Sequence, residues 1–89
     1  MQTNEYSSAV ADAERAVQER PGDSSAYEAL GAAYFEVERY TEAKAALEQA
    51  LRLNPASAAA YEKIGHIHYR LDSPPEQAVA AYERAIELD

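Results

Sequence analysis

The sequence predicts an all-α fold, an α-solenoid of antiparallel helix hairpins with five helices. Three observations carry this reading. Apolar residues recur at helical spacing throughout, and no alternating strand pattern competes. Tyr27, Leu30, Gly31 and Tyr34 return as Tyr61, Ile64, Gly65 and His68, each 34 residues on. The same offset carries Ala43, Leu47, Ala50 and Pro55 back onto Ala9, Ala13, Ala16 and Pro21. A helix hairpin of this length cannot bury its apolar face alone, so neighbouring repeats stack and share a core.

The first helix is expected from about Asn4 to Arg20, with Asn4 as its cap and Glu5 in the first turn. Ala9, Ala13 and Ala16 share one face, and Val10 and Val17 lie on the next. Pro21 and Gly22 end it. By register this is the second helix of a repeat whose first helix is absent. The second helix should run from Ser24 to Glu38. Asp23 or Ser24 caps it, and Ser25 with Glu28 suits a capping box. Gly31 falls mid-helix, where glycine costs about 1 kcal/mol against alanine. Close approach of the partner helix is the physical reason to place it there.

The third helix starts at Thr41 and stops near Asn54, because the residue before Pro55 avoids the α region. Ala43, Leu47 and Ala50 should face back onto the second helix. Ser57 caps the fourth helix, about Ala58 to Leu71. The next turn is irregular: Ala78, Tyr82 and Ala85 follow Ala43, Leu47 and Ala50 by 35 residues, one more than the period. Ser73 is the expected cap of the fifth helix, Pro74 its first residue, and Glu76 its capping-box partner. The helix should end near Leu88. One domain results: a half repeat over 1–23 and full repeats over 24–57 and 58–89.

Bulk properties narrow the function classes. The net charge is −8, which disfavours nucleic acid and anionic membranes, since both need clustered Lys and Arg. There is no cysteine, so disulfides and thiolate metal sites are excluded. Neither a long apolar run nor a signal peptide is present, which points to the cytoplasm unless the chain is an excised domain. Nothing converges for catalysis. The serines sit at helix starts, and His66 and His68, two residues apart on a helix, point in divergent directions and cannot share a metal. His68 reads as a packed, hydrogen-bonded histidine. No cofactor is expected.

Tyr27, Leu30, Gly31, Tyr34, Ala43, Leu47, Ala50 and Pro55 together resemble the tetratricopeptide repeat family at its characteristic positions. The family often carries glycine in the turn within a hairpin, where this chain has Glu38 and Arg39. The resemblance implies a superhelix whose first helices line a concave groove for a peptide or helix. Carried over one by one, the ligand-facing positions are Ser25, Glu28, Ala32, Phe35 and Glu36. In the next repeat they are Ala59, Glu62, His66, Tyr69 and Arg70. Phe35 and Tyr69 are not required by the scaffold, so they suit an apolar anchor, or else they cover core. Arg70 is the single fixed positive charge expected there, and Glu28, Glu36 and Glu62 make a basic or apolar-basic partner the expectation. Members that bind the carboxylate tail of heat-shock chaperones use Lys, Asn and Arg in these positions. Here Glu28, Ala32, Glu62 and His66 stand instead, so that function is not implied.

The expected function is therefore non-catalytic protein–protein interaction. The alternative is a structural self-assembly module or a piece of a longer scaffold. The two ends differ. Ala13 stands where the other repeats carry Leu47 and Tyr82, so the first helix presents a small-sided face, as expected of a natural start. On the last helix Val79, Tyr82, Ile86 and Leu88 make an apolar face, expected to pair with a second copy or with further chain.

Overall fold

A computed structural model describes residues 3–71 and 74–88, with side chains for 8–71 and 74–88. Its elements are α1 (Thr3–Glu19), α2 (Ser24–Glu36), α3 (Tyr40–Leu53), α4 (Ala58–Arg70) and α5 (Pro75–Leu88). The described residues are all-α, with no strand among them. Helix α2 packs against α1, α3 and α4, and α4 packs against α2, α3 and α5. The Cα envelope measures 36 × 29 × 17 Å. Its short dimension is that of two helix layers.

The ends of the helices follow from local chemistry. Asp23, in extended backbone, accepts the Ser25 N–H at 3.0 Å and caps α2. The expected Ser25–Glu28 capping box does not form, because the Glu28 carboxylate reaches across to α4. Helix α2 ends at Glu36, two residues before the expected Glu38. Glu38 takes a left-handed φ of 65°. The Arg39 N–H then donates to the Tyr34 carbonyl (2.9 Å) and the Glu38 N–H to the Phe35 carbonyl (3.0 Å). This is the double closure of a Schellman turn, with glutamate where glycine is usual. Helix α3 starts one residue before the expected Thr41, and Asn54, before Pro55, lies extended at φ −144°, ψ 88°.

Two expected starts are corrected. Helix α1 already includes Asn4, so Asn4 does not cap it. The side chains of Glu5 and Tyr6 lie outside the described residues. Helix α5 begins at Pro75, not Pro74. A residue before proline is kept out of the α region, so Pro75 holds Pro74 outside the helix. The Pro74 carbonyl instead accepts the Gln77 N–H at 3.0 Å, as a capping residue's does. The cap expected at Ser73 lies outside the described residues.

The core follows the repeat. Ala43, Leu47 and Ala50 are fully buried on α3, facing α2 as the period required. Ala43 and Leu47 join Ala60, Ile64 and Ile67 of α4 and Ala81 of α5, covered at the edges by Tyr34, Phe35, Tyr40 and Leu51. A second cluster unites Val10 and Ala13 of α1 with Ala33 of α2. Close approach explains the two helical glycines. A Cβ on Gly31 would lie 2.6 Å from Leu47 Cγ, and one on Gly65 2.8 Å from the Tyr82 ring. Tyr34 adds a polar tie, its hydroxyl donating to Glu14 on α1 at 2.7 Å. That bond, with burial second, raises the Tyr34 pKa above the usual tyrosine range.

Candidate functional site

The ligand-facing positions lie on α2 and α4, which run side by side, and they divide among three places. Phe35 on α2 meets His66, Tyr69 and Arg70 of α4 around one cavity, completed by Lys63 and Tyr82. Ala32 and Glu36 line a separate groove against α1, whose floor is Ala9, Ala13, Ala16, Ala29 and Ala33. Ala59 and Glu62 line a third groove between α4 and α5. Ser25 is exposed at the start of α2. Glu28 is engaged structurally: it accepts the Ser57 hydroxyl at 2.5 Å, and Ser57 Oγ accepts the Ala60 N–H at 3.2 Å. One of the three groove carboxylates thus stitches α2 to the capped start of α4.

The aromatic cavity is built from rings that fix one another. Phe35 meets Tyr40 edge-on at 5.3 Å between centroids and lies 6.3 Å from His66. His66 packs edge-on to Tyr82 at 5.4 Å, and its Nδ1 is hydrogen-bonded to the Tyr82 hydroxyl at 2.8 Å. Arg70 lies over the Phe35 ring, 6.0 Å from its centroid, within cation–π range. Phe35 is half-buried and packs on the core. Tyr69, its counterpart one repeat on, is 75% exposed. Phe35 therefore both covers core and walls the cavity, whereas Tyr69 walls the cavity from a largely exposed position.

Arg70 is not the only fixed positive charge here, because Lys63 lines the same cavity. Neither forms an ion pair among the described residues. Lys63 precedes His66 and Arg70 by three and seven residues, a helical spacing that could have revealed it in the sequence. The wall is thus acidic at Glu36 and Glu62 and basic at its aromatic centre.

His66 is exposed and His68 is buried, so the two imidazoles diverge. Burial holds the His68 pKa below the usual histidine range, and Lys44 adds to the effect. Among the described residues no His, Cys, Asp and Glu cluster could hold a metal ion, and no helix is long and apolar enough to cross a membrane. On α5 the expected apolar face divides. Val79 and Ile86 are 51% and 75% exposed, and Leu88 is half-buried. Tyr82 turns inward over Gly65.

The model of the tetratricopeptide repeat matches residues 1–43 and 29–89. No curated protein matches. Among solved structures, MamA residues 41 to the end from Desulfovibrio magneticus RS-1 superposes with a TM-score of 0.87 at 26% identity. It covers 98% of this chain and 49% of its own. Another MamA crystal structure gives 0.87 at 28%, covering 94% and 48%. The chain thus spans about half the length of these MamA structures. The first tetratricopeptide domain of Spaghetti (RPAP3), solved with the HSP90 peptide SRMEEVD, gives 0.89 at 24%, covering 99% and 69%. At that identity the likeness is one of fold. The family model spans the whole of this chain, and the hairpins, buried alanines and glycine contacts are those its repeats require: the chain belongs to the tetratricopeptide repeat family.

Proposed function

We propose that this chain is a non-catalytic protein-interaction module that holds a peptide or helix against the α2–α4 wall. An apolar side chain of the partner enters the cavity between Phe35 and Tyr69. The observation that carries this reading is Tyr69, a large ring left 75% exposed beside a cavity that it lines together with Phe35, His66 and Tyr82. Rigid aromatics around a cavity are the usual anchors of binding energy. The overall charge of −8, with Glu36 and Glu62 flanking, favours a partner with basic residues on either side of the anchor. Lys63 and Arg70 keep those basic residues out of the cavity itself.

An acidic chaperone tail such as the one held by the RPAP3 domain is not the proposed ligand. The positions that would clamp it are Glu28, Ala32, Glu62 and His66. The test is a peptide array followed by titration. Tyr69→Ala, a surface change, should weaken the best basic-flanked apolar peptide by tenfold or more, and Glu62→Lys should weaken it as well. Binding should also fall as salt rises, because exposed charges are screened within about 8 Å at physiological ionic strength. Binding indifferent to Tyr69, or tight binding of SRMEEVD, would refute the reading.

A further inference from the structure

Helix α4 rests in a groove between α2 and α3, and the same groove recurs, open, between α4 and α5. In the first groove Leu47 and Ala50 are fully buried, and Glu28 and Leu51 are half-buried. One repeat on, their places are held by Tyr82, Ala85, Glu62 and Ile86, which with Ala58 and Ala59 line the open groove. Leu51 packs on the core, whereas Ile86 is 75% exposed. Ala58 and Ala59 replace Ser24 and Ser25, so this groove is the more apolar of the two.

What the first groove holds defines what the second can take. Helix α4 opens on Ser57, whose hydroxyl donates to Glu28 at 2.5 Å while it caps the Ala60 N–H. Three, seven and ten residues after Ser57, Ala60, Ile64 and Ile67 are buried in the shared core. We propose that the α4–α5 groove docks an amphipathic helix of a partner protein that opens on Ser or Thr. That helix carries a small residue three positions after its cap and Ile or Leu at seven and ten. Its cap hydroxyl donates to Glu62 as Ser57 does to Glu28. The polarity is fixed by electrostatics: a helix N-terminus brings orphan N–H groups and the positive end of its dipole toward Glu62, and a C-terminus would be repelled. This site is separate from the Phe35–Tyr69 cavity, although Tyr82 borders both.

The chain supplies its own probe, a synthetic peptide of residues 56–71 with blocked ends, titrated into the full chain by fluorescence anisotropy. Saturable binding is expected. The peptide carrying Ser57→Ala should bind about tenfold more weakly, the value of one hydrogen bond to a charged group. Protein Glu62→Gln should show the same loss, and combining the two changes should add nothing further. Ile86→Glu should abolish binding, while Tyr69→Ala should leave it unchanged. Both protein sites are exposed, so neither change threatens folding. Absence of saturable binding would overturn the proposal. So would binding indifferent to Glu62 and Ile86, as when the peptide displaces α4 itself. A mass doubling of the protein alone that Ile86→Glu reverses would give the groove to a second copy instead.

Discussion

Gly31 and Gly65 occupy the same position in consecutive repeats, yet alanine should be costly at the first and nearly neutral at the second. Moving glycine to alanine within a helix gains about 1 kcal/mol of intrinsic propensity at either site. The opposing term is steric. At Gly31 the new Cβ lies 2.6 and 2.8 Å from two carbons of Leu47 and 3.3 Å from the Ala43 carbonyl. Leu47 is fully buried, so it has nowhere to move, and the backbone must part instead. Overpacking of this kind costs about 1–3 kcal/mol. The net expectation for Gly31→Ala is a loss of up to about 2 kcal/mol. At Gly65 the Cβ meets the Tyr82 ring at 2.8–3.0 Å, but that ring is half-buried and borders two open grooves. It can swing aside at the expense of its exposed bond to His66, which is worth at most about 1 kcal/mol.

Urea denaturation followed at 222 nm reads the difference. For a domain of this size each kcal/mol moves the melting temperature by about 4–8 °C, so calorimetry gives a second reading. A double substitution closes the argument. Leu47→Ala alone should cost about 2–5 kcal/mol, and in the Gly31→Ala background its cost should fall by about 1 kcal/mol or more, because the colliding carbons are gone. If Gly31→Ala were stabilising by the propensity value alone, α2 and α3 would not approach as closely as described, and the reasoning would fail.

Three further outcomes are expected. Tyr34→Phe removes the bond to Glu14 that ties α2 to α1, and should cost at most about 1 kcal/mol, since the pair is exposed; faster amide exchange confined to α1 is the signature, and uniform exchange would refute it. Glu38→Gly relieves a left-handed residue at the α2–α3 turn and should raise stability by about 0.5–1 kcal/mol in chemical denaturation, whereas a loss would mean the turn is not strained. His68 has a folded pKa below its unfolded value of about 6.5, so its neutral form contributes stability that is fully present above that pH. As pH falls below about 6.5 the unfolded chain takes up a proton that the folded chain resists, and stability declines; His68→Tyr should therefore lose less stability than the parent between pH 7.5 and pH 5, and equal losses would exclude the mechanism.

The sequence by itself determined which face of each helix is buried. Ala43, Leu47 and Ala50 are inside, and Gly31 lies beneath Leu47, because a 34-residue period and helical spacing are local properties that any stacked hairpin must satisfy. The positions of Phe35 and Tyr69 as equivalent extra aromatics were legible for the same reason. Only the tertiary structure decided which residues of different helices meet. Glu28 reads locally as a capping-box partner of Ser25, yet its carboxylate lies on Ser57, 29 residues away. Phe35 and Tyr69 look alike in sequence, but Phe35 packs on the core between Tyr40 and the α4 residues His66 and Arg70, whereas Tyr69 stays 75% exposed. The packing of the hairpins divides one expected groove into three. Periodicity fixes the direction of a side chain relative to its own helix axis. The angle between axes is set by how whole side-chain surfaces interlock, and no single stretch of sequence contains both surfaces.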